Sequence, residues 1–171
     1  SYDAVTGATP LAAMKFDGNV TAATELVLGL TTGSTGETAG LLLLAGGVYL
    51  AVRRFLNWRI PAAILGSVFL LSAIAHGVDP LRYPEPVFML FAGGLMLGAL
   101  FMATDMVASP MTSLGCVIYG LLIGVLIVII RFYGGMPEGV MYAILFANAV
   151  SPHIDTLVRP RVYGTRRADT S

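Results

Sequence analysis

The sequence predicts an all-α integral membrane protein with five transmembrane helices. Two observations carry that expectation: 56% of the 171 residues are hydrophobic and only 12% are charged, and the apolar residues gather into five runs joined by short polar connections. Soluble domains hold a very different balance. Formal net charge is zero and no basic face is evident, so the composition gives no reason to expect nucleic acid as a partner. Cys116 is the single cysteine, which excludes an intrachain disulfide or a cysteine-clustered metal site; within an apolar run it reads as packing. The first residue is Ser, and no basic region precedes an apolar core there, so the opening residues do not form an intact signal peptide. The chain reads as a piece of a longer protein, with an upstream half outside it.

The five runs are Thr38 to Val52, Ile60 to Ala75, Pro86 to Ala103, Leu114 to Ile130 and Glu138 to Val150. Several are shorter than the ~20 residues needed to cross a hydrocarbon core, so their ends must be covered by protein or water-lined loops. Short spans of this kind point to broken or half helices, as in transporter-like folds. Glycines recur four apart at Gly36/Gly40, Gly94/Gly98 and Gly120/Gly124, a spacing that lets helix backbones approach closely. Packing is a sufficient reading of all three pairs.

The loops predict an orientation. Arg53, Arg54 and Arg59 follow the first span, and Arg159, Arg161, Arg166 and Arg167 follow the last. With five spans these regions share one side, and an excess of basic residues marks the cytoplasm. Lys15, Arg82 and Arg131 fall on the other. Residues 1–37 are thus expected in the periplasm, 38–155 in the membrane bundle and 156–171 in a cytoplasmic basic tail.

Before the first span lies D-x-x-T-G-A-T, formed by Asp3, Thr6, Gly7, Ala8 and Thr9. One reading is a helix start: Thr9 as N-cap, Pro10 at the first helical position, and Leu11 to Phe16 as a short surface helix. The other is an acceptor site for a flavin transferase, which joins FMN through its phosphate to the last threonine. Gly7 and Ala8 remove bulk beside the hydroxyl, and Pro10 biases Thr9 toward an extended backbone that displays it. A phosphoester there would lie at a helix N-terminus, where free amides and the dipole favour negative charge. The two readings are compatible.

Other polar islands admit two readings each. Ser34 and Glu37 in GSTGET form an S-x-x-E capping box; alternatively Glu37 and the nearby glycine amides line a polar site at the membrane edge. Asp105, in FMATDMVASP, is poorly placed against the negative end of the preceding helix. It would cap a following turn, sit in water at the interface or, as an ionisable group at membrane depth, face a functional partner. Pro137 and Glu138 are expected to open the last span, and Asn148, His153 and Asp155 to close it. His153 and Asp155 fit a solvated helix end better than a proton pair.

The stretches DAVTGATPLAAMK, GSTGETAG, FMATDMVASP, GGMPEGVMYAILFANAVSPHID and TLVRPRVYG occur in this order across nearly the whole chain. Together they resemble the carboxyl-terminal half of RnfD, a membrane component of the Rnf complex, the bacterial ion-translocating ferredoxin:NAD oxidoreductase. NqrB of the sodium-pumping NADH:quinone reductase is similar but less so. The resemblance implies a membrane subunit with covalent FMN on Thr9, passing electrons near the outer face while the complex moves Na⁺ or H⁺. It also implies an inverted-repeat, urea-transporter-like bundle of which this chain holds the second repeat. Implied partners are the other Rnf subunits, a flavin transferase and the lipid bilayer, and a second, non-covalent flavin such as riboflavin is left open. No residue looks like an acid, base or nucleophile for turnover on its own. Two rival classes are a channel or transporter without a redox role, which has no need of the Thr9 motif, and a scaffold for other subunits.

Overall fold

The computed structural model describes residues 9–17, 26, 40–80, 83–136 and 138–159. Regular structure in these residues is helical throughout. A short α1 at Pro10–Ala12 runs on into a π-helical turn, Ala13–Asp17. Then come α2 at Gly40–Val52, α3 at Arg59–Val78, α4 at Pro86–Phe91, and α5 at Leu95–Leu97, which continues as a second π-helical turn, Gly98–Met102. The last two are α6 at Ser113–Tyr133 and α7 at Val140–Leu157.

The two longest helices form the spine. Both α3 and α6 are long and apolar enough to cross a membrane. They pack on each other through Ile60, Ile64 and Val68 from α3 against Tyr119, Ile123 and Ile127 from α6, all fully buried. The glycine pair predicted for close packing makes this possible. A Cβ on Gly120 would stand 2.9 Å from the Ile60 carbonyl oxygen, and one on Gly124 would stand 3.1 Å from that of Ile64. Only a hydrogen at both positions lets the backbones approach so far. On α7, Val140, Ala143, Ile144 and Ala147 complete the core against α6.

The outward faces are apolar as well. Leu42, Tyr49 and Val52 on α2, Leu70 and Ile74 on α3, Leu121 and Ile129 on α6, and Met141 and Leu145 on α7 are all exposed. Helices that are hydrophobic on both inner and outer faces belong in lipid rather than in water.

The structure moves several boundaries, and the last helix runs past Asn148, expected to close it, to Leu157. The third run is no single helix: it stops at Phe91, passes through Ala92, Gly93 and Gly94, and restarts at Leu95. Gly93 has φ +69°, a left-handed conformation that favours glycine. Arg131, expected in a loop, lies in the last turn of α6 and is 4% exposed. Glu138 does not open the last helix, which begins at Val140; its side chain turns away toward the helix break.

Candidate functional site

Thr9 adopts φ −62° and ψ 149° and is the N-cap of α1. Pro10 dictates this, since a proline disfavours helical backbone in the residue before it and suits the first helical position. The Thr9 side-chain oxygen accepts from the Ala12 amide at 3.4 Å. That is longer than an ordinary N–H···O bond, so the cap is weak and engages the hydroxyl only lightly. Thr9 itself is half-buried. Asp3, Thr6, Gly7 and Ala8 of the acceptor motif, Ser34 and Glu37 of the capping box, and Gly36 lie outside the described residues.

A helix as short as α1 cannot hold itself together, and two sets of contacts fix it. Leu11 is buried with Phe88, Ala92 and Leu26, and Met14 and Phe91 pack against the same cluster. Four residues beyond Leu11, and so on the same face, Lys15 reaches the end of α6. Its ammonium donates to the carbonyl oxygens of Arg131 at 3.1 Å, Met136 at 2.8 Å and Gly134. Two of these carbonyls belong to the orphan acceptors at the negative end of a helix, where a cation is favoured. Partial burial strips water from Lys15 and pushes its pKa down; the three carbonyls stand in for that water.

Beneath this contact lies the helix break. Arg131 spans it from α6: Nη1 donates to the Met89 carbonyl at 2.6 Å and Nη2 to that of Ala92 at 2.9 Å. These are carbonyls that α4 leaves open where it stops, and a guanidinium fork suits two of them at once. From the other side, a Glu138 carboxylate oxygen accepts from the Gly94 amide at the start of α5. The two charges meet at Gly93, where a Cβ would lie 2.9 Å from Glu138 Oε1 and 3.4 Å from Arg131 Nη2. A broken helix therefore has a cation at its C-terminal stump and an anion at its N-terminal stump, each matched to the local dipole.

Lys15, Arg131 and Glu138 form this junction, and the residue pattern singles out none of them for a site. Charge counting assigns Arg131 and Lys15 to loops, and the proline before Glu138 makes it a helix start. One signal is nonetheless present: a 17-residue apolar run ends directly on an arginine, and ionisable groups at membrane depth warrant a functional reading. A second is Gly93-Gly94 inside an apolar run, which marks a chain break as readily as a packing stripe.

The opposite end of α6 holds a separate polar cluster. Asp105 is exposed and its Oδ1 accepts from the Val107 amide at 3.2 Å, the turn cap that is one of its three expected roles. Asp155 accepts from the Met111 amide at 3.1 Å and so ties α7 to the loop entering α6, while His153 is exposed. Cys116 is buried; its thiol donates to the Pro110 carbonyl at 3.1 Å and accepts from Asn57 Nδ2 at 3.2 Å. A 21-residue α6 is about 30 Å long, so Asp105 and Thr9 belong to opposite ends of the molecule. Among the described residues, no group of three or more His, Cys, Asp or Glu side chains is placed to hold a metal ion.

Comparison with known proteins places the sequence in a family. The family model described as NQR2, RnfD, RnfE matches residues 1–164. The D component of the proton-translocating ferredoxin:NAD⁺ oxidoreductase complex from Clostridium ljungdahlii is 45% identical, over 96% of this chain and 53% of its own length. The D component of an ion-translocating oxidoreductase complex from Alcanivorax borkumensis is 39% identical over 98% of this chain and 51% of its own. Its counterpart in the Na⁺-translocating ferredoxin:NAD⁺ oxidoreductase complex from Acetobacterium woodii is 40% identical, over 96% and 51%. The chain thus spans about half the length of the curated relatives it matches. A match of this extent, with similar relatives aligned along nearly the entire sequence, means that the chain belongs to the NQR2, RnfD, RnfE family.

Proposed function

We propose that this chain is the carboxyl-terminal half of a membrane subunit of an Rnf-type ion-translocating ferredoxin:NAD oxidoreductase in the bacterial inner membrane, and that Thr9 carries FMN as a phosphoester. The observation that supports this best is the Thr9 hydroxyl. It sits in an extended N-cap with only a 3.4 Å bond to the Ala12 amide, at the end of a segment fastened to the bundle by Leu11 and Lys15. Attachment forms an Oγ–P bond at Thr9 as the phosphoanhydride of a flavin dinucleotide donor is cleaved, the nucleoside monophosphate half leaves, and the hydroxyl proton passes to the flavin transferase. Once bound, the flavin supplies the electron-transfer chemistry, and the protein supplies position and surroundings. Pro10 keeps Thr9 extended, and the Ala12 amide is placed to favour an anionic phosphate in the first turn.

In this reading the five apolar segments cross the membrane as the second repeat of a urea-transporter-like bundle, with Thr9 on the periplasmic side and the arginine-rich tail in the cytoplasm. Lys15 and Arg131 gather at one end of α6, while Asn57, bonded to Cys116, and Asp155 gather at the other. The other subunits of the complex deliver and receive the electrons, and the ion moved is H⁺ or Na⁺; relatives covering the same stretch are named for each.

The test is covalent flavin fluorescence. The full-length protein, made in cells that contain the flavin transferase, should give a fluorescent band on a denaturing gel, and Thr9→Val should abolish it. A dark wild-type band, or a fluorescent Thr9→Val band, defeats the proposal.

A further inference from the structure

We propose that Lys15 is the positioning residue for the group carried on Thr9: by gripping three carbonyls at the end of α6 it sets the place and rotation of the attachment helix relative to the helix break. The inference rests on Thr9 being the attachment site and adds which side chain holds that site still.

Two kinds of contact hold α1, and they constrain it differently. The apolar contact of Leu11 and Met14 with Phe88 and Phe91 is non-directional, so it favours proximity without fixing a rotation. Methionine adds further slack, having a flexible side chain. Lys15 is the directional contact. An ammonium has three N–H donors, and here its acceptors are the carbonyls of Arg131, Gly134 and Met136. Three acceptors spread around one nitrogen define a point in space, and that point is only six residues from Thr9.

The grip also has a second link. The residue whose carbonyl receives Lys15, Arg131, sends its guanidinium to the Met89 and Ala92 carbonyls at the break. Ala92 belongs to the same apolar cluster that buries Leu11. The attachment helix, the end of α6 and the stump of α4 therefore form a closed loop of contacts. Removing the ammonium opens the loop while leaving the apolar contact and the Thr9 cap intact. The predicted result is a group that remains attached but wanders. A group that wanders spends less time at the distance its electron partners require, so electron arrival slows.

The experiment uses the assembled complex with the full-length protein. Lys15→Met keeps most of the stem and removes all donors; Lys15→Arg keeps charge and several donors. In Lys15→Met the fluorescent band on a denaturing gel should persist, the flavin fluorescence anisotropy of the native complex should fall, and flavin reduction by the complex's electron donor should slow. Lys15→Arg should recover much of both. A Lys15→Met complex with its flavin attached, and with wild-type anisotropy and rate, overturns the inference and leaves the Thr9 assignment standing. A wild-type band without flavin overturns both. Should Lys15→Met not accumulate, Lys15→Gln, with two donors on a shorter stem, is read instead: reduced anisotropy supports the positioning role and wild-type anisotropy refutes it.

Discussion

Replacing Arg131 by methionine probes the helix break most directly. Methionine retains the length and apolar character of the stem, so the change removes the charged fork and little else. Two buried contacts disappear, to the Met89 and Ala92 carbonyls, and hydrogen bonds to a charged group are worth about 1.5–3 kcal/mol each. Glu138, which is half-buried, also loses the cation that shares its corner at Gly93. The two bonds together set the expected destabilisation at about 3–6 kcal/mol. Glu138→Gln removes the carboxylate charge while retaining an acceptor for the Gly94 amide. The double variant Arg131→Met/Glu138→Gln should then cost at least about 1 kcal/mol less than the two single changes summed. Equilibrium unfolding of the full-length protein in mixed detergent micelles, followed by circular dichroism, measures all three. Strict additivity, or an Arg131→Met variant within about 0.5 kcal/mol of the parent, would refute the view of the break as a charge-matched junction.

Two further outcomes follow from glycines. Gly93→Ala places a side chain at φ +69°, a strain of about 1–2 kcal/mol, and pushes it toward Glu138 Oε1, 2.9 Å away; lowered stability in the same unfolding experiment is expected, and an unchanged midpoint would contradict it. Gly124→Ala drives a methyl group against Ser67 and to 3.1 Å from the Ile64 carbonyl, and overpacking of this kind costs about 1–3 kcal/mol. Adding Ser67→Ala, which removes the crowding hydroxyl, should recover part of that loss, whereas no recovery would place the strain elsewhere.

Local chemistry makes parts of this molecule readable from its residues. Thr9-Pro10 specifies a cap and a helix start with no help from the rest of the chain, and the structure has both. The long run from Leu114 specifies an apolar helix, and Gly120 and Gly124 inside it specify where another helix comes close. What escapes are features defined by partners distant in sequence. Gly93-Gly94 carries the same spacing signature whether it packs against a neighbour or interrupts a helix, and only Arg131, 39 residues from Ala92, decides which. Glu138 follows a proline and so resembles a helix start, yet its partner Gly94 lies 44 residues earlier. Lys15 resembles any solvated charge, because its three acceptors are backbone carbonyls, which carry no sequence signal.

The π-helical turns at Ala13–Asp17 and Gly98–Met102 bear on how such a chain can change length during evolution. Each wide turn holds one residue more than an α-helix needs. Losing that residue would tighten the turn to α geometry and leave the flanking turns close to their present phase, whereas the same loss from the regular part of a helix would spin everything beyond it by about 100°. A codon lost from the second turn would therefore leave Thr104 and Asp105 near their present bearings, while one lost from the middle of α6 would carry Arg131 off the helix break. Length can thus change at these two spots with little cost in phase.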